Sequence, residues 1–195
     1  CKTVGYHNDM YPPSAQGQAR EVPVQDQVDE YEVIGPDGYG YPIYALKQNH
    51  KALYGSLISE QDMAKAYDDG NPYVNRDPRF YRDIIYHGSM FKGKWINTAT
   101  GADAINAANS TSTGYFTRKY FDGYYTKGMS GNWNFDAPLI RLATIYLVYA
   151  EAVTRSKGAT PEVYNLMNEL RARSFMAPIP PAAQTNKELL LDYIL

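Results

Sequence analysis

Apolar residues follow a helical period only in the last third of the chain. After Pro138 they recur every three or four residues, which is the spacing of one face of an α-helix. The positions are Leu139, Leu142, Ala143, Tyr146, Tyr149, Ala150 and Val153. Gly158 is suited to end this helix, and Thr160 with Pro161 is suited to begin another. The pattern therefore predicts an αα-hairpin of the tetratricopeptide-like kind.

A third helix is predicted at the end of the sequence. Thr185 and Glu188 have the spacing of a capping box, which would open a helix over residues 186–195. The last residues of this helix are largely apolar, and the sequence stops without a C-cap residue. We therefore expect residues 138–195 to form a helical hairpin plus a truncated third helix.

Residues 1–137 are interrupted by glycine and proline and predict a loop-rich segment. Short helices are expected over residues 24–32 and after Ser59, which has Asp62 three residues on. Residues 80–86 are rich in β-formers, and with residues 93–96 they predict a β-hairpin. The expected fold is mainly α with irregular loops and a small β-hairpin.

Composition and charge narrow the class of protein. Lysine and arginine number 19 against 21 acidic residues, so the net charge of −2 gives no basic surface for nucleic acid. No apolar run is long enough to cross a membrane. Cys1 is the only cysteine, which excludes an internal disulfide and a cysteine-rich metal site. Nucleic-acid binding and a transmembrane segment are therefore not expected.

Motifs for catalysis, cofactors or metals are missing from the sequence. It has no nucleophile elbow, zinc-protease, P-loop or dinucleotide fingerprint, and the three histidines lack metal-ligand spacing. Glycoside hydrolysis would need two carboxylates across a sugar bond, and acidic residues at unremarkable spacing do not identify such a pair. We therefore predict no catalytic residues, no cofactor and no metal site.

Tyrosine is the unusual component, with 19 residues. Its ring can pack on the C–H face of a sugar while its hydroxyl bonds to water or to the sugar. The candidate stacking residues lie in two aromatic loops and in the predicted hairpin. They are Tyr39, Tyr41, Tyr44, Trp95 and Trp133. The alternative for each is packing in the core.

Five segments give the chain a resemblance to the SusD-like (RagB/SusD) family. Two of them are residues 75–81 (Asn-Arg-Asp-Pro-Arg-Phe-Tyr) and residues 141–152 (Arg-Leu-Ala-Thr-Ile-Tyr-Leu-Val-Tyr-Ala-Glu-Ala). The others are residues 22–32, 114–120 and 168–173, and all five occur in the family's order. The resemblance implies a SusD-like scaffold of tetratricopeptide-like helical hairpins. It covers the carboxy-terminal half of such a domain, with the amino-terminal repeat half absent.

The resemblance also implies a function and partners. Family members capture glycans, or other nutrients, at the outer face of the bacterial outer membrane and deliver them to a SusC-like TonB-dependent transporter. The partners expected are therefore a glycan, that transporter and the missing amino-terminal half of the same protein. The lipid anchor would belong to the parent protein, so Cys1 is not expected to be the anchor. The alternatives are a repeat-type protein-interaction scaffold and a glycoside hydrolase.

Charged residues within the recognised segments are expected to be structural. Asp77 precedes a proline and is kept out of helical geometry, so its carboxylate can accept local bonds, while Arg76 and Arg79 offer planar forks of donors. We therefore predict a pinned turn at this point. Glu151 lies among apolar residues of a helix, and with Arg141 it is expected to form a buried polar tie.

Overall fold

A computed structural model describes residues 10–46, 51–119 and 140–195, with Lys51 and Ala52 described by their backbone alone. The helices are α1 (Gln25–Asp29), α2 (Ile43–Leu46), α3 (Lys51–Tyr54), α4 (Glu60–Ala66), α5 (Pro78–Asp83), α6 (Leu142–Lys157), α7 (Pro161–Arg173) and α8 (Lys187–Ile194). The strands are β1 (Val33–Ile34), β2 (Gly40–Tyr41), β3 (Ile84–Ile85), β4 (Met90–Phe91), β5 (Lys94–Trp95) and β6 (Phe116–Thr117). The expected fold class, mainly helical with small β structure, is confirmed.

The chain divides into two compact units that alternate along the sequence. The hairpin unit comprises Cys1–Val28 with Phe80–Ala137, and the helical unit comprises Asp29–Arg79 with Pro138–Leu195. Residues 29–79 belong to the same unit as the carboxy-terminal helices. The physical reason is a shared core, in which Tyr54, Ile58 and Met63 belong to the same buried cluster as Val163 and Leu190.

The hairpin unit is built from short strands and turns around a small apolar core. Strand β3 pairs antiparallel with β6, and β4 pairs antiparallel with β5. Met10, Tyr11, Ile85, Phe91 and Phe116 belong to its buried cluster. Strands of two residues contribute few ladder bonds, so the packing of these side chains supplies much of what holds the strands in place.

Helix α6 ends, and helix α7 begins, at the residues that the sequence indicates. The hydroxyl of Thr160 accepts a hydrogen bond from the amide of Val163 at 3.3 Å, and Pro161 occupies the first turn of α7. Gly158 ends α6 with φ of 87°, a value that favours glycine. Helix α6 packs against both α7 and α8. The predicted αα-hairpin is therefore confirmed.

The third helix and its cap differ slightly from the expectation. Helix α8 begins after Asn186, whose side-chain oxygen accepts the amide of Leu189 at 3.1 Å. The sequence predicts Thr185 as the capping residue, and the structure corrects this by one position. Asparagine and threonine both cap helices, so neighbouring caps are hard to rank from the sequence.

A β-hairpin is present, but its strands are not the ones that the sequence predicts. Residues 80–83, expected to be a strand, belong to helix α5, which starts at Pro78. The strand that follows, β3, pairs with β6 and not with residues 93–96, while β4 and β5 form the hairpin. Pro78 suits the first turn of a helix, and this local preference overrides the β-forming residues after it.

Candidate ligand-binding surface

The β4–β5 hairpin has a two-residue turn of defined geometry. Met90 lies opposite Trp95 and Phe91 opposite Lys94, so Lys92 and Gly93 make the turn. Both turn residues have positive φ, 48° and 74°. This combination matches the twist of the flanking strands, and glycine adopts it at little cost. The turn fixes which side chains share a face of the hairpin.

One side of the hairpin is anchored in the core of its unit. Phe91 and Ile96 are each 1% exposed. The ring of Tyr11 lies against the ring of Phe91, with 5.2 Å between the centroids. The amide of Ile96 donates to the carbonyl of Ser89 at 2.9 Å. These contacts fix the position of the hairpin, because they hold both its buried side chains and its backbone.

The hairpin also presents two apolar side chains to solvent. Trp95 is 69% exposed and Met90, its cross-strand partner, is 49% exposed. Directly opposed residues of a strand pair project from the same face, so the indole and the thioether lie together. An exposed indole on an ordered backbone offers a flat, polarisable surface with an N–H donor at its edge. Such a surface can stack on the C–H face of a sugar ring.

Two lysines flank the exposed pair and brace the hairpin against the start of the described chain. The ammonium of Lys94 donates to the carbonyl oxygen of Ser14 at 2.7 Å. The ammonium of Lys92 lies 4.7 Å from the centroid of the Tyr11 ring, and burial lowers the pKa of this lysine. Both side chains place hydrogen-bond donors beside the hairpin.

The tyrosines expected to stack on ligand lie in the helical unit, and two of them serve its interior. Tyr41 is 1% exposed, and its hydroxyl donates to Asp37 at 2.6 Å. Tyr44 is half-buried, with its hydroxyl donating to Asp192 at 3.1 Å. Burial, and then the neighbouring carboxylate, raises the pKa of both phenols. Tyr41 offers no exposed ring face, so it drops out of the candidate surface.

Tyr39 and Trp133 complete the set of expected stacking residues. Tyr39 is half-buried and packs against the core of the helical unit, and its amide donates to Asp37 at 3.1 Å. Trp133 lies outside the described residues. Among the five candidates, Trp95 is the described residue with a largely exposed ring, and Tyr39 and Tyr44 present partial faces in the other unit.

Arg76, Asp77 and Arg79 form a turn held by many bonds. The guanidinium of Arg76 donates to the carbonyls of Pro72 and Tyr31, both at 2.9 Å. The carboxylate of Asp77 accepts the amide of Arg79 at 2.7 Å and its guanidinium at 2.8 and 2.6 Å. Asp77 is 2% exposed. These contacts pair the carboxylate of Asp77 with Arg79 and tie Arg76 to the backbone around the turn.

The expected buried tie between Glu151 and Arg141 does not form. Glu151 accepts the guanidinium of Arg155, one turn later in α6, at 2.7 Å, and its side chain is one-third exposed. Arg141 is exposed at the beginning of the helix. The prediction is wrong because an apolar face in the sequence need not be buried, and much of this part of α6 faces solvent.

Two features of the described residues concern metals and membranes. Across residues 10–46, 51–119 and 140–195, no group of three or more His, Cys, Asp or Glu side chains could hold a metal ion. Within the same ranges, no helix is long and apolar enough to span a bilayer.

Met90 belongs to the candidate surface but is not predicted from its residue type. The signal was available, because a lysine–glycine pair between Phe91 and Lys94 suits a two-residue hairpin turn. That turn would have placed Met90 opposite Trp95.

Comparisons with known proteins identify the family of the chain. Two crystal structures from Bacteroides fragilis NCTC 9343 share its fold. A SusD-like carbohydrate binding protein has a TM-score of 0.65 at 21% identity, over 97% of this chain and 34% of that chain. A SusD-like protein has a TM-score of 0.57 at 23% identity, over 92% of this chain and 33% of that chain.

The chain thus spans about a third of the length of these structures. A search of curated proteins finds no match. The sequence model of the SusD family matches residues 4–195, which is nearly the whole sequence. The chain belongs to the SusD family.

Proposed function

We propose that this chain is part of a non-enzymatic protein that captures oligosaccharide or polysaccharide at the bacterial cell surface. The observation that carries the proposal is the exposed indole of Trp95 beside Met90 on an anchored hairpin. Membership of the SusD family and the fold shared with a SusD-like carbohydrate binding protein support the same class of ligand.

The proposed binding mode is stacking assisted by hydrogen bonds. The indole of Trp95 covers the C–H face of one sugar ring, and Met90 extends the apolar contact. The indole N–H of Trp95 is a hydrogen-bond donor for a sugar hydroxyl on the same face. The half-buried rings of Tyr39 and Tyr44 remain proposed contacts of the helical unit, and Trp133 remains a proposed stacking residue.

The local chemistry favours binding over hydrolysis. Glycosidases use two carboxyl groups about 5–10 Å apart across the scissile bond. The hairpin from Met90 to Trp95 contains two lysines and no carboxylate. We therefore propose retention of the glycan without cleavage.

The cellular role follows from the family. Delivery to a SusC-like TonB-dependent transporter, at the extracellular face of the outer membrane, is the proposed fate of the captured glycan. Membership of the SusD family supports this part of the proposal.

Calorimetry and affinity electrophoresis against a panel of plant and host glycans test the binding proposal. For the glycan that binds, we expect Trp95→Ala to weaken affinity about 3- to 10-fold, the value of one aromatic contact. Trp95→Phe keeps a ring and should lose less.

The matched control is Phe175→Ala in the helical unit, which removes a ring that is 80% exposed. This variant should bind like the parent. Equal affinity of Trp95→Ala and the unaltered chain would remove Trp95 from the site. Release of shorter sugars, detected by chromatography, would show that the protein hydrolyses the glycan and would contradict the proposal.

A further inference from the structure

Met90 is the most exposed methionine among those that the structure describes. It is 49% exposed, whereas Met10, Met63 and Met167 are 1%, 8% and 3% exposed. Met176 is half-buried. The oxidation of a methionine follows the access of the oxidant to its sulfur, so Met90 is the described methionine that a dissolved oxidant should attack first.

Met90 and Trp95 lie side by side on the exposed face of the hairpin, where they are direct cross-strand partners. The next pair, Ser89 and Ile96, is joined by a bond from the amide of Ile96 to the carbonyl of Ser89 at 2.9 Å. Hydrogen-bonded and non-hydrogen-bonded pairs alternate along an antiparallel ladder, so Met90 and Trp95 form a non-hydrogen-bonded pair. The side chains of such pairs lie the closer together. The thioether of Met90 therefore borders the indole.

The thioether of Met90 has two effects on the surface beside the indole. Its sulfur is polarisable and makes favourable contacts with aromatic rings. It is also only a weak hydrogen-bond acceptor, so it binds water weakly and keeps the surface apolar. Both effects favour close contact between the indole of Trp95 and the C–H face of a sugar ring.

Oxidation of Met90 should leave the hairpin unit folded. The core of this unit is a buried cluster to which Met10, Tyr11 and Phe91 belong, and Met90 points away from it to solvent. A polar group at an exposed position has little effect on stability. The consequence of oxidation at Met90 is therefore confined to the chemistry of the exposed face.

The chemical step is the transfer of one oxygen atom to sulfur. The O–O bond of hydrogen peroxide breaks as the S–O bond forms, the thioether loses two electrons, and the peroxide leaves as water. The sulfoxide oxygen is polar and accepts hydrogen bonds from water. A sugar ring that stacks on the indole must displace this water, which costs free energy unless the lost bonds are replaced.

We propose that Met90 is an oxidation site at which hydrogen peroxide, or another two-electron oxidant, lowers the affinity of the Trp95 face for glycan. The reverse step needs a methionine sulfoxide reductase and a dithiol, which is oxidised to the disulfide while the oxygen leaves as water. The control of affinity rests on the proposed function, whereas the preferential oxidation of Met90 does not.

Mass spectrometry after brief treatment with hydrogen peroxide tests the oxidation site. The six methionines of the sequence fall on six separate tryptic peptides, and the peptide over residues 83–92 carries Met90. This peptide should gain one oxygen atom at least about fivefold faster than the peptides that carry Met10, Met63 and Met167, because those side chains are buried. Equal rates in the four peptides would overturn the proposal.

Affinity electrophoresis in gels that contain starch, xylan, pectin or mucin glycan tests the effect on binding. For a polysaccharide that retards the chain, oxidation should raise the apparent Kd about 3- to 10-fold, the value of one sulfur–aromatic contact. Methionine sulfoxide reductases of both stereospecificities, with dithiothreitol, should then restore the original Kd. This recovery separates oxidation at sulfur from irreversible damage to Trp95.

Two leucine variants assign the effect to one residue. Each variant is compared with itself before and after peroxide, so its own starting affinity does not enter the comparison. Met90→Leu has no sulfur on the face and should show no change in Kd on oxidation. Met176→Leu, in the helical unit, is the matched control, and its Kd should rise as it does in the unaltered chain.

The outcomes distinguish this inference from the proposed function. An unchanged or lower Kd after complete conversion of Met90 to the sulfoxide would overturn the control of affinity and leave the proposed function standing. A response of Met90→Leu equal to that of the unaltered chain, or loss of the far-UV circular dichroism spectrum on oxidation, would do the same. Absence of retardation by all four polysaccharides before oxidation would contradict the proposed function and the control of affinity together.

Discussion

The two units of the molecule keep their interiors together by different means. In the hairpin unit, the buried cluster consists of apolar and aromatic side chains such as Ile85, Phe91 and Phe116. In the helical unit, a similar apolar cluster encloses charged groups. Arg171 and Glu32 are 5% and 8% exposed and form two parallel bonds, and Arg171 also donates to the carbonyl of Ala177 at 2.8 Å.

Tyrosines extend the polar interior of the helical unit. Tyr54 is fully buried, and its hydroxyl donates to Asp192, which also accepts the hydroxyl of Tyr44. The hydroxyl of Tyr193 donates to the carbonyl of Gly40 at 2.8 Å. Buried polar networks are costly when they are incomplete. The hairpin unit also buries a carboxylate, Asp103, which accepts the amide of Ser14 at 2.8 Å, but the larger network should make the helical unit depend more on ionisation.

The stabilities of the two units should differ most at alkaline pH. Burial raises the pKa of Tyr41, Tyr54 and Tyr193, with Asp37 contributing at Tyr41 and Asp192 at Tyr54. An unfolded tyrosine titrates near pH 10, so stability is fully present below pH 10 and is lost as the pH rises toward the folded pKa. The loss is up to about 4 kcal/mol per pH unit for the three phenols together.

The test compares two pH titrations between pH 9 and 12. Far-UV circular dichroism follows the helices, and tryptophan fluorescence follows the hairpin unit. The helical signal should disappear at a lower pH than the fluorescence signal of the hairpin unit. Tyr54→Phe removes one phenol and should move the helical transition to higher pH. Coincident transitions would mean that the units do not differ in this respect.

Removing one partner of the buried ion pair is the next largest change. Arg171→Met leaves the carboxylate of Glu32 buried without its partner and should lower the free energy of unfolding of the helical unit by about 3–5 kcal/mol. Urea unfolding followed at 222 nm measures this. The double variant Glu32→Leu/Arg171→Met removes both charges and should recover most of the loss. A double variant as unstable as Arg171→Met would show that the pair itself is stabilising.

Truncation of a buried apolar side chain is the corresponding test of the hairpin unit, and it is also measured by urea unfolding. Phe91→Ala removes a ring that is 1% exposed and should cost about 3 kcal/mol, detected by urea unfolding through tryptophan fluorescence. Phe91 carries no charge, and the ammonium of Lys92 over its ring stays protonated well below its lowered pKa, so the cost should be the same at pH 6 and pH 8. A cost that varies with pH would show that the hairpin unit also depends on ionisation.

The smallest effect is expected at the tyrosine–carboxylate bonds. Asp192→Asn keeps one acceptor but loses the charge that two hydroxyls share, and should cost about 1–2 kcal/mol. Asp37→Asn is the matched control, because Asp37 accepts the hydroxyl of Tyr41 at the surface and should cost less than about 1 kcal/mol. Thermal unfolding of both variants gives the comparison, and equal costs would contradict the importance of burial.

Local sequence signals predicted the ends of the two long helices, α6 and α7, better than the strand pairing. Thr160, Pro161 and Gly158 mark helix ends through their own backbone preferences, so nothing distant is needed to interpret them. Strand β3 finds its partner at Phe116 and Thr117, more than thirty residues away. Two-residue strands carry too little alternation to specify such a partner.

The candidate site was predictable only in part. The sequence singles out Trp95 by residue type, but its exposure depends on which face of the hairpin packs against Tyr11. Tyr44 looked like a loop residue because its partner, Asp192, lies 148 positions away. Aromatic residues serve a core and a ligand equally well, and only the three-dimensional neighbours separate these roles.

The alternation of the two units along the chain has a consequence for biosynthesis. Glu32 leaves the ribosome 139 residues before its partner Arg171. At ~10 residues per second, this carboxylate stays solvated for more than about 10 s while the whole second segment of the hairpin unit is translated. The helical unit therefore completes its core only after residues 187–194 have been translated. A transcript truncated before codon 171 would yield a nascent polypeptide with Tyr54 and Ile58 uncovered, a substrate for chaperones and proteases.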